Sequence, residues 1–199
     1  MRLEIASKKA IKYACMRFHY AKIVPITEIA YAVFNDSGEW CGCVTFGKGA
    51  SNRLGDIFKL VPGEYLELTR MALNGKQETT SKVLAMAVRL IKKDRPMVKC
   101  IFSYADKGQS HLGIIYQATN WIYIDDIKSS GIEMYYKGKW GHSRGPSELP
   151  KPIRDKIPKR KKPGKHKYVF PLTEEVRKMA LDKQLPFPKK SEEVVKDSK

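Results

Sequence analysis

The stretch from Tyr65 to Asp126 restricts what this chain can fold into more than any other part of it. Tyr65 to Leu73 alternates as a strand does, and Asn74-Gly75 then breaks the chain. Thr79, Thr80 or Ser81 is placed to cap a helix by accepting a backbone N–H bond. That helix carries Leu84, Ala87, Val88 and Ile91 on one face, has Lys92 and Lys93 where they complement its dipole, and is stopped by Pro96. Val98 to Tyr104 is the next strand and ends in Ser103-Tyr104-Ala105-Asp106. Past a Gly-containing loop, a short helix from about His111 to Thr119 leads through Asn120 into a strand from Trp121 to Ile124. The pattern is strand, helix, strand, helix, strand. A helix that starts just after a strand offers free N–H groups and a positive dipole end, which favour an anion. The ends of the first two strands therefore flank a cleft.

The remaining segments can be placed around this unit. Ser7 caps a first helix with Ile11, Ala14, Cys15 and Phe18 on its apolar face, delivering His19-Tyr20 near its C-terminal end. His19 there either caps the last carbonyls or serves a site. Glu28 to Phe34 and Trp40 to Phe46 form a hairpin through Asn35 to Glu39. Gly47 to Gly63 reads as a loop able to cross the cleft mouth, with Lys48 and Arg53 to meet phosphates there. In the strand from Tyr65 to Leu73, strict alternation sends Glu67, Thr69 and Met71 to one face and Leu66, Leu68 and Arg70 to the other. Arg70 on an apolar side requires either a buried acid or the phosphate of a substrate or cofactor. Glu67 is the general-base candidate, with a plain ion pair as the alternative.

Toward the C-terminus the composition changes. Gly131 to Trp140 is a second hairpin, turning at Lys137-Gly138-Lys139. Lys151 to Lys167 carries nine Lys or Arg against a single acid, Asp155. Pro152, Pro158, Pro163 and Gly164 forbid a regular helix, which predicts an extended basic arm. The arm displays Lys159, Arg160, Lys161, Lys162, Lys165 and Lys167 to phosphates, in preference to serving as a solvated linker, because a strand from His166 to Phe170 returns it to the fold. Thr173 caps a last amphipathic helix, and the polar tail beyond Pro188 is expected to be disordered. Residues 1–172, including the arm at 151–167, form one domain, and 173–199 form a C-terminal helix and tail.

Composition decides the class of partner. There are 38 Lys and Arg against 21 Asp and Glu, a net +17, so a polyanion is expected: nucleic acid, an anionic membrane surface or a ribosome. The longest apolar run, Val83 to Val88, is far too short to span a bilayer and the N-terminus lacks a signal-peptide core, so the expectation is a soluble, cytoplasmic protein. Cys15, Cys41, Cys43 and Cys100 show no C-x-x-C pair, and reduced thiols are expected. Cys41 and Cys43, on one strand face, are either small buried hydrophobes or metal ligands with a histidine.

The order of elements from Tyr65 onward resembles the cofactor half of the GCN5-related acetyltransferase (GNAT) fold. A narrower resemblance covers roughly Phe18 to Phe170. Its residues are His19-Tyr20 with Pro25, Glu67-Leu68-x-Arg70, Ser103-Tyr104-Ala105-Asp106, Gly113-x-Ile115-Tyr116-Gln117-Ala118-Thr119-Asn120-Trp121 and His166-Lys167-Tyr168-Val169. In this order and spacing they resemble the Mom-type phage DNA-modification proteins. The resemblance implies an α/β, GNAT-like central mixed, mostly antiparallel sheet flanked by helices, with a basic C-terminal extension. It implies an enzyme that attaches an acetamido (carbamoylmethyl) group to the N6 amino group of adenine in double-stranded DNA, protecting phage DNA from restriction, and it makes that DNA, and no membrane, the expected partner. His19, Tyr20, Glu67, Ser103, Asp106, Tyr116 and Tyr168 would be catalytic. Arg70, Lys76, Thr79, Thr80 and Ser81 would hold acetyl-CoA or a related acyl-CoA. Because the product is linked through a CH2 carbon, a thioester does not make the bond in one step, and a redox metal such as iron or an amino-acid donor enters as an alternative. Trp121, Tyr123, Tyr104 and Tyr20 are the surfaces on which an extruded base would stack. The rival functions are an ordinary GNAT acetylating a protein or small-molecule amine and a non-catalytic nucleic-acid-binding protein, and a homodimer is the oligomer to test.

Overall fold

The computed structural model describes residues 1–49, 51–128, 131–143 and 145–189, so the predicted disorder of residues 190–199 lies outside the described residues. Its central element is the pair predicted first, strand β4 (Tyr65–Leu73) and strand β5 (Cys100–Asp106), joined by helix α2 (Thr80–Asp94). Thr79 takes the cap, its Oγ1 accepting the N–H of Lys82 at 3.2 Å. The apolar face of α2 is buried as the spacing requires, and Leu84 and Ile91 each contribute about 2 kcal/mol by leaving water.

Around this pair a seven-stranded sheet runs β1 (Arg2–Ile5), β2 (Ile29–Phe34), β3 (Trp40–Gly47), β4, β5, β10 (Lys165–Pro171), β6 (Ile122–Ile127). Among the described strands only β4 and β5 run parallel; every other neighbour is antiparallel. This is the mixed, mostly antiparallel α/β sheet expected from the sequence. Strand β1 was not anticipated, because four mostly exposed residues on a sheet edge leave no alternation to read.

Helix α1 (Lys8–Phe18) covers one face of the sheet, where Ile11, Ala14 and Cys15 meet Ala30, Ala32, Cys43 and Ala72. Helix α2 covers the other, over Tyr31, Val33, Val44, Phe46, Leu66 and Leu68. A further cluster buries Leu54, Phe58 and Leu60 of the 47–63 segment with Phe102, Ile122, Val169 and the fully buried Val176 and Ala180 of helix α5 (Glu174–Leu181). Leu54, Phe58 and Leu60 thereby anchor to the core the segment expected as a cleft-mouth loop. Its first residues do approach the site, since Gly49 sits against the Glu67 side chain.

Two bulges overturn simple alternation. In β4, Arg70 pairs with Thr45 and Leu68 with Phe46, leaving Thr69 as the extra residue. Its hydroxyl donates to the Thr45 carbonyl oxygen at 3.0 Å. The inserted residue reverses the faces downstream: Leu66, Leu68, Met71 and Leu73 all join the α2-side core, while Ala72 turns to α1. Arg70 thus leaves the apolar side and shares a cavity with Glu67. In β3, Cys41 is the extra residue, and beside it Gly42 has φ +125 and lies so close to the Ala72 carbonyl that no Cβ would fit. Cys41 and Cys43 consequently enter opposite cores, which removes the same-face thiol pair a metal would need. Burial raises both thiols above the ordinary range, Cys43 to about 12.

The basic segment is also corrected. Lys151–Asp155 forms helix α4, with Pro152 in its first turn, where the missing N–H costs nothing. Lys159–Lys161 forms strand β9, pairing with β7 (Ile132–Tyr136), which in turn pairs with β8 (Lys139–His142). The predicted extended arm is therefore part of a small three-stranded sheet. The hairpin turn at Lys137-Gly138 is as expected, both residues having positive φ as such a turn demands.

Candidate active site

The parallel pairing of β4 and β5 runs only from Tyr65–Cys100 to Glu67–Phe102, after which the strands separate. A cavity of about 260 Å³ opens at that fork. Glu67 stands at its apex, paired on one side with Gly47 and on the other with Phe102. Thr69 and Arg70 follow on β4, Tyr104 and Asp106 on β5, Thr80 at the start of α2, and Tyr116 on the one-turn helix α3 (Ile114–Gln117). His19 and Tyr20 arrive from the end of α1, His111 from the loop after β5, and Lys165 from the start of β10. Residues ranging from position 19 to position 165 meet in one cavity.

Arg70 is the cation beneath this cavity. One Nη donates to the neighbouring Thr69 carbonyl oxygen at 2.6 Å, but Nε is shielded from solvent without a hydrogen-bond partner among the described residues. A shielded guanidinium N–H with no acceptor is costly unless something anionic enters. The same charge acts on His19. Burial first, then the positive field of Arg70, His111 and Lys22, holds the imidazole at about 4, so it is neutral near pH 7. Its Nδ1 accepts the N–H of Ala21 at 3.1 Å, which leaves the proton on Nε2. His19 is therefore a hydrogen-bond donor to the cavity in its resting form, and it does not cap the carbonyls of α1. That task falls to Lys22, whose Nζ donates to the Arg17 carbonyl oxygen at 2.9 Å.

Tyr116 is held as a protonated donor. It is buried, Ser103 Oγ lies 2.8 Å from its hydroxyl, and burial pushes its pKa up to about 12. Ser103, 1% exposed, does not line the cavity and acts on it through Tyr116. Tyr168 lies deeper still: fully buried, its ring 4.9 Å from that of Tyr116, its hydroxyl donating to the Leu112 carbonyl oxygen. Gly113, at φ +75, passes so close to the Tyr168 ring that a Cβ there would clash. Asp106 does both things open to it. Oδ1 caps the turn by accepting the Gly108 N–H at 2.8 Å, while Oδ2 accepts the Tyr20 hydroxyl at 3.3 Å. Burial and this carboxylate raise the Tyr20 pKa. The rings of His19 and Tyr20 lie 4.3 Å apart and His111 meets Tyr20 edge-on, making an aromatic corner.

Several predicted residues lie elsewhere. Trp121 and Tyr123 are 1% and 4% exposed, packed in the core and unable to stack on a base; Tyr20, at 50%, and Tyr104 line the cavity. Lys76 is drawn to Glu39 in an ion pair and is not among the cavity residues. Glu78 turns the same way, accepting the Asp36 N–H at 2.9 Å. Thr79 is occupied as the cap, so Thr80 is the residue of that set that reaches the cavity. Lys48 and Arg53 are exposed, Arg53 paired with Asp56 at 2.9 Å. Arg160 is paired with Glu133 at 2.8 Å and stacked 4.4 Å over Trp140, whereas Lys161 is exposed on β9. Lys165 lies over the Tyr104 ring, and half-buried Lys167 over Phe102, its pKa lowered by burial. His111 was missed: expected as the start of the short helix, it lies in the loop between β5 and α3, five residues beyond Asp106. Among the described residues no group of three or more His, Cys, Asp and Glu could hold a metal ion, so the iron alternative finds no ligand set here.

The profile of the Mom protein family matches residues 1–189, nearly the whole length. The chain belongs to the Mom protein family. Over 80 residues it is 31% identical to the methylcarbamoylase mom of Escherichia phage Mu, an overlap of 39% of this chain and 32% of that protein, so about a third of the relative's length is matched. Among solved structures, a Vibrio cholerae spermidine N-acetyltransferase chimera superposes with TM-score 0.52 at 6% identity, covering 88% of this chain and 99% of that one. A Bacillus subtilis acetyltransferase in complex with CoA superposes with TM-score 0.51 at 9% identity, covering 86% and 99%. At such identities the likeness concerns the fold alone, and this Mom-family chain has the GNAT fold. Among the described residues no helix is long and apolar enough to cross a membrane.

Proposed function

We propose that this Mom-family chain is a transferase acting on adenine in double-stranded DNA, adding an acetamido (carbamoylmethyl) group to N6. The observation that carries the reading is the fork cavity, where a carboxylate, a half-buried guanidinium with a shielded Nε and a buried phenol held protonated converge, with Lys165 at the lining. A base inside a duplex cannot reach such a cavity, so the adenine must be extruded, and Tyr20 and Tyr104 are the lining rings able to receive it. Glu67 takes a proton from N6 directly or through water. His19 Nε2–H donates to a ring acceptor or to the incoming group. Tyr116 returns a proton to whatever leaves. Arg70 holds the anionic part of the donor or the phosphate beside the extruded nucleotide.

Acyl-CoA fits the upper part of the site in one respect: the first amides of α2, at Thr80 and Ser81, have no intrahelical acceptor and suit a pyrophosphate. Bound there, it would supply an activated acyl carbon. Attack at that carbon gives an N–C(=O) bond whereas the product has an N–CH2 bond, so acyl transfer from a thioester does not by itself complete the reaction. Lys159, Lys161 and Lys162 would hold the DNA backbone while the cavity holds the base.

The test is mass analysis of nucleosides from the DNA of cells making the protein, alongside acetyl-lysine and polyamine profiles. Carbamoylmethyl-deoxyadenosine supports the reading. Acetylated protein or polyamine with unmodified DNA supports an ordinary N-acetyltransferase, and no product at all supports a binding protein.

A further inference from the structure

A second concavity, about 840 Å³, runs along another flank of α2. It exists because α3 is one turn long: Asn120, at φ +60, swings the chain into β6 and leaves the middle of α2 facing the β10–α5 corner across open space. Val88, Trp121, Phe170 and Leu172 make an apolar floor. Lys82, Arg89 and Lys92 stand along the rim at helical spacing, exposed and in no ion pair among the described residues, and Arg177 of α5 faces them. The one acid at this rim, Glu174, lies 3.9 Å from Arg177. The groove touches the reactive cavity only through the start of α2, where Thr80 lines one and Ser81 the other.

The decisive feature is Trp121. It is 1% exposed and lines the groove, and its Nε1–H is shielded with no hydrogen-bond acceptor among the described residues. Shielded donors of this kind are rare in native proteins, and each calls for a partner. Four cations, an apolar floor and one unsatisfied N–H specify an anion with a flat body and an acceptor atom. The volume falls within the range that binds small molecules, roughly 300 to 1,000 Å³.

We propose that this groove is a binding site for a phosphorylated small molecule of nucleotide size, with phosphates on Lys82, Arg89, Lys92 and Arg177 and an acceptor on Trp121 Nε1–H, separate from the cavity that holds the reacting groups. The rim extends ten residues along α2, about 15 Å, from Lys82 to Lys92, well past the helix start where a donor's pyrophosphate would sit. The inference rests on the groove's own residues and stands whether or not DNA is the substrate.

The test uses the full chain with ATP as the probe and adenosine as the phosphate-free control, by calorimetry and by the 15N–1H indole signal of Trp121, assigned from Trp121→Phe. One ATP should bind, adenosine should not, and the Trp121 indole signal should move. A Lys92→Gln/Arg177→Gln double variant, altered only at exposed residues, should bind about tenfold or more weakly, as expected for charge-assisted contacts. Saturating CoA should leave ATP bound. The proposal is overturned by absent binding, by several weak equivalent sites, by equal affinity for adenosine, by a double variant that binds as the parent does, or by stoichiometric displacement with CoA, which would make the groove merely the donor's far end.

Discussion

Replacing Lys159, Lys161 and Lys162 together by Gln should flatten the salt dependence of duplex DNA binding, and the structure sets how far. Four cations follow one another from Lys159 to Lys162, but they are not equivalent. Arg160 makes a two-nitrogen ion pair with Glu133, at 2.9 and 2.8 Å, and stacks over Trp140, so a phosphate would have to displace both. Lys159 has only an exposed pairing with Asp155 at 3.8 Å, worth about 0 to 1 kcal/mol, and can leave it. Three phosphates neutralised at about 0.9 each change the slope of log K against log[salt] by roughly 2.7, not the roughly 3.6 of four free cations. Between 50 and 200 mM salt, the unmodified protein should therefore lose roughly 40-fold more affinity than the triple variant. Arg160→Gln alone should leave the slope nearly unchanged while loosening the small sheet. The assay is fluorescence anisotropy on a labelled duplex over a salt series. Equal slopes for parent and triple variant would refute phosphate contact, and a full lysine-sized change from Arg160→Gln would refute the account of its ion pair.

Four further outcomes follow from the cavity. His19 binds its proton near 4 when folded and near 6.5 when unfolded, so its contribution to stability is present above pH 6.5 and lost as the pH falls toward 4; urea unfolding at pH 7 and pH 4 should show about 1 to 3 kcal/mol of this loss missing from His19→Asn, and identical pH dependence would sink the buried neutral imidazole. Tyr116→Phe should lower the rate of adenine modification about 100-fold or more while changing stability by less than about 1.5 kcal/mol, and a rate within threefold of the parent would remove Tyr116 as proton donor. Tyr168→Phe should cost no more than about 1 kcal/mol of stability, read by thermal unfolding, because the Leu112 carbonyl oxygen loses one donor but keeps Gln117 Nε2 at 3.2 Å. Coenzyme A should slow hydrogen exchange of the amides from Gly75 to Lys82, and unchanged exchange together with no calorimetric heat would remove acyl-CoA from the reading.

Legibility in the sequence followed the range of the interaction that decides each feature. The caps at Ser7, Thr79 and Thr173 and the buried face of α2 were readable because the competing groups lie within a few residues of one another. The two bulges were not: whether Thr69 is the extra residue depends on the register of a partner strand about 24 positions away in sequence, and although Cys41 lies only about eight positions from its partners, period-two alternation carries no sign of where a hairpin inserts a residue. That single missing fact at Thr69 accounts for the misplacement of Arg70: alternation counted without the bulge puts it across the sheet from Glu67, and counted with the bulge puts it beside Glu67. The basic segment failed for the related reason that prolines were weighed as breakers, whereas Pro152 starts a helix and Pro158 and Pro163 bracket a strand whose partner, β7, is more than twenty residues upstream. Separating the strand pair β4–β5 and closing it again with His19, His111 and Lys165 is a tertiary act, and its consequence is chemical. A cation on the apolar face would have been a structural oddity. On the face that the bulge gives it, Arg70 adds its field to the burial that holds His19 neutral, and keeps one N–H waiting for an anion.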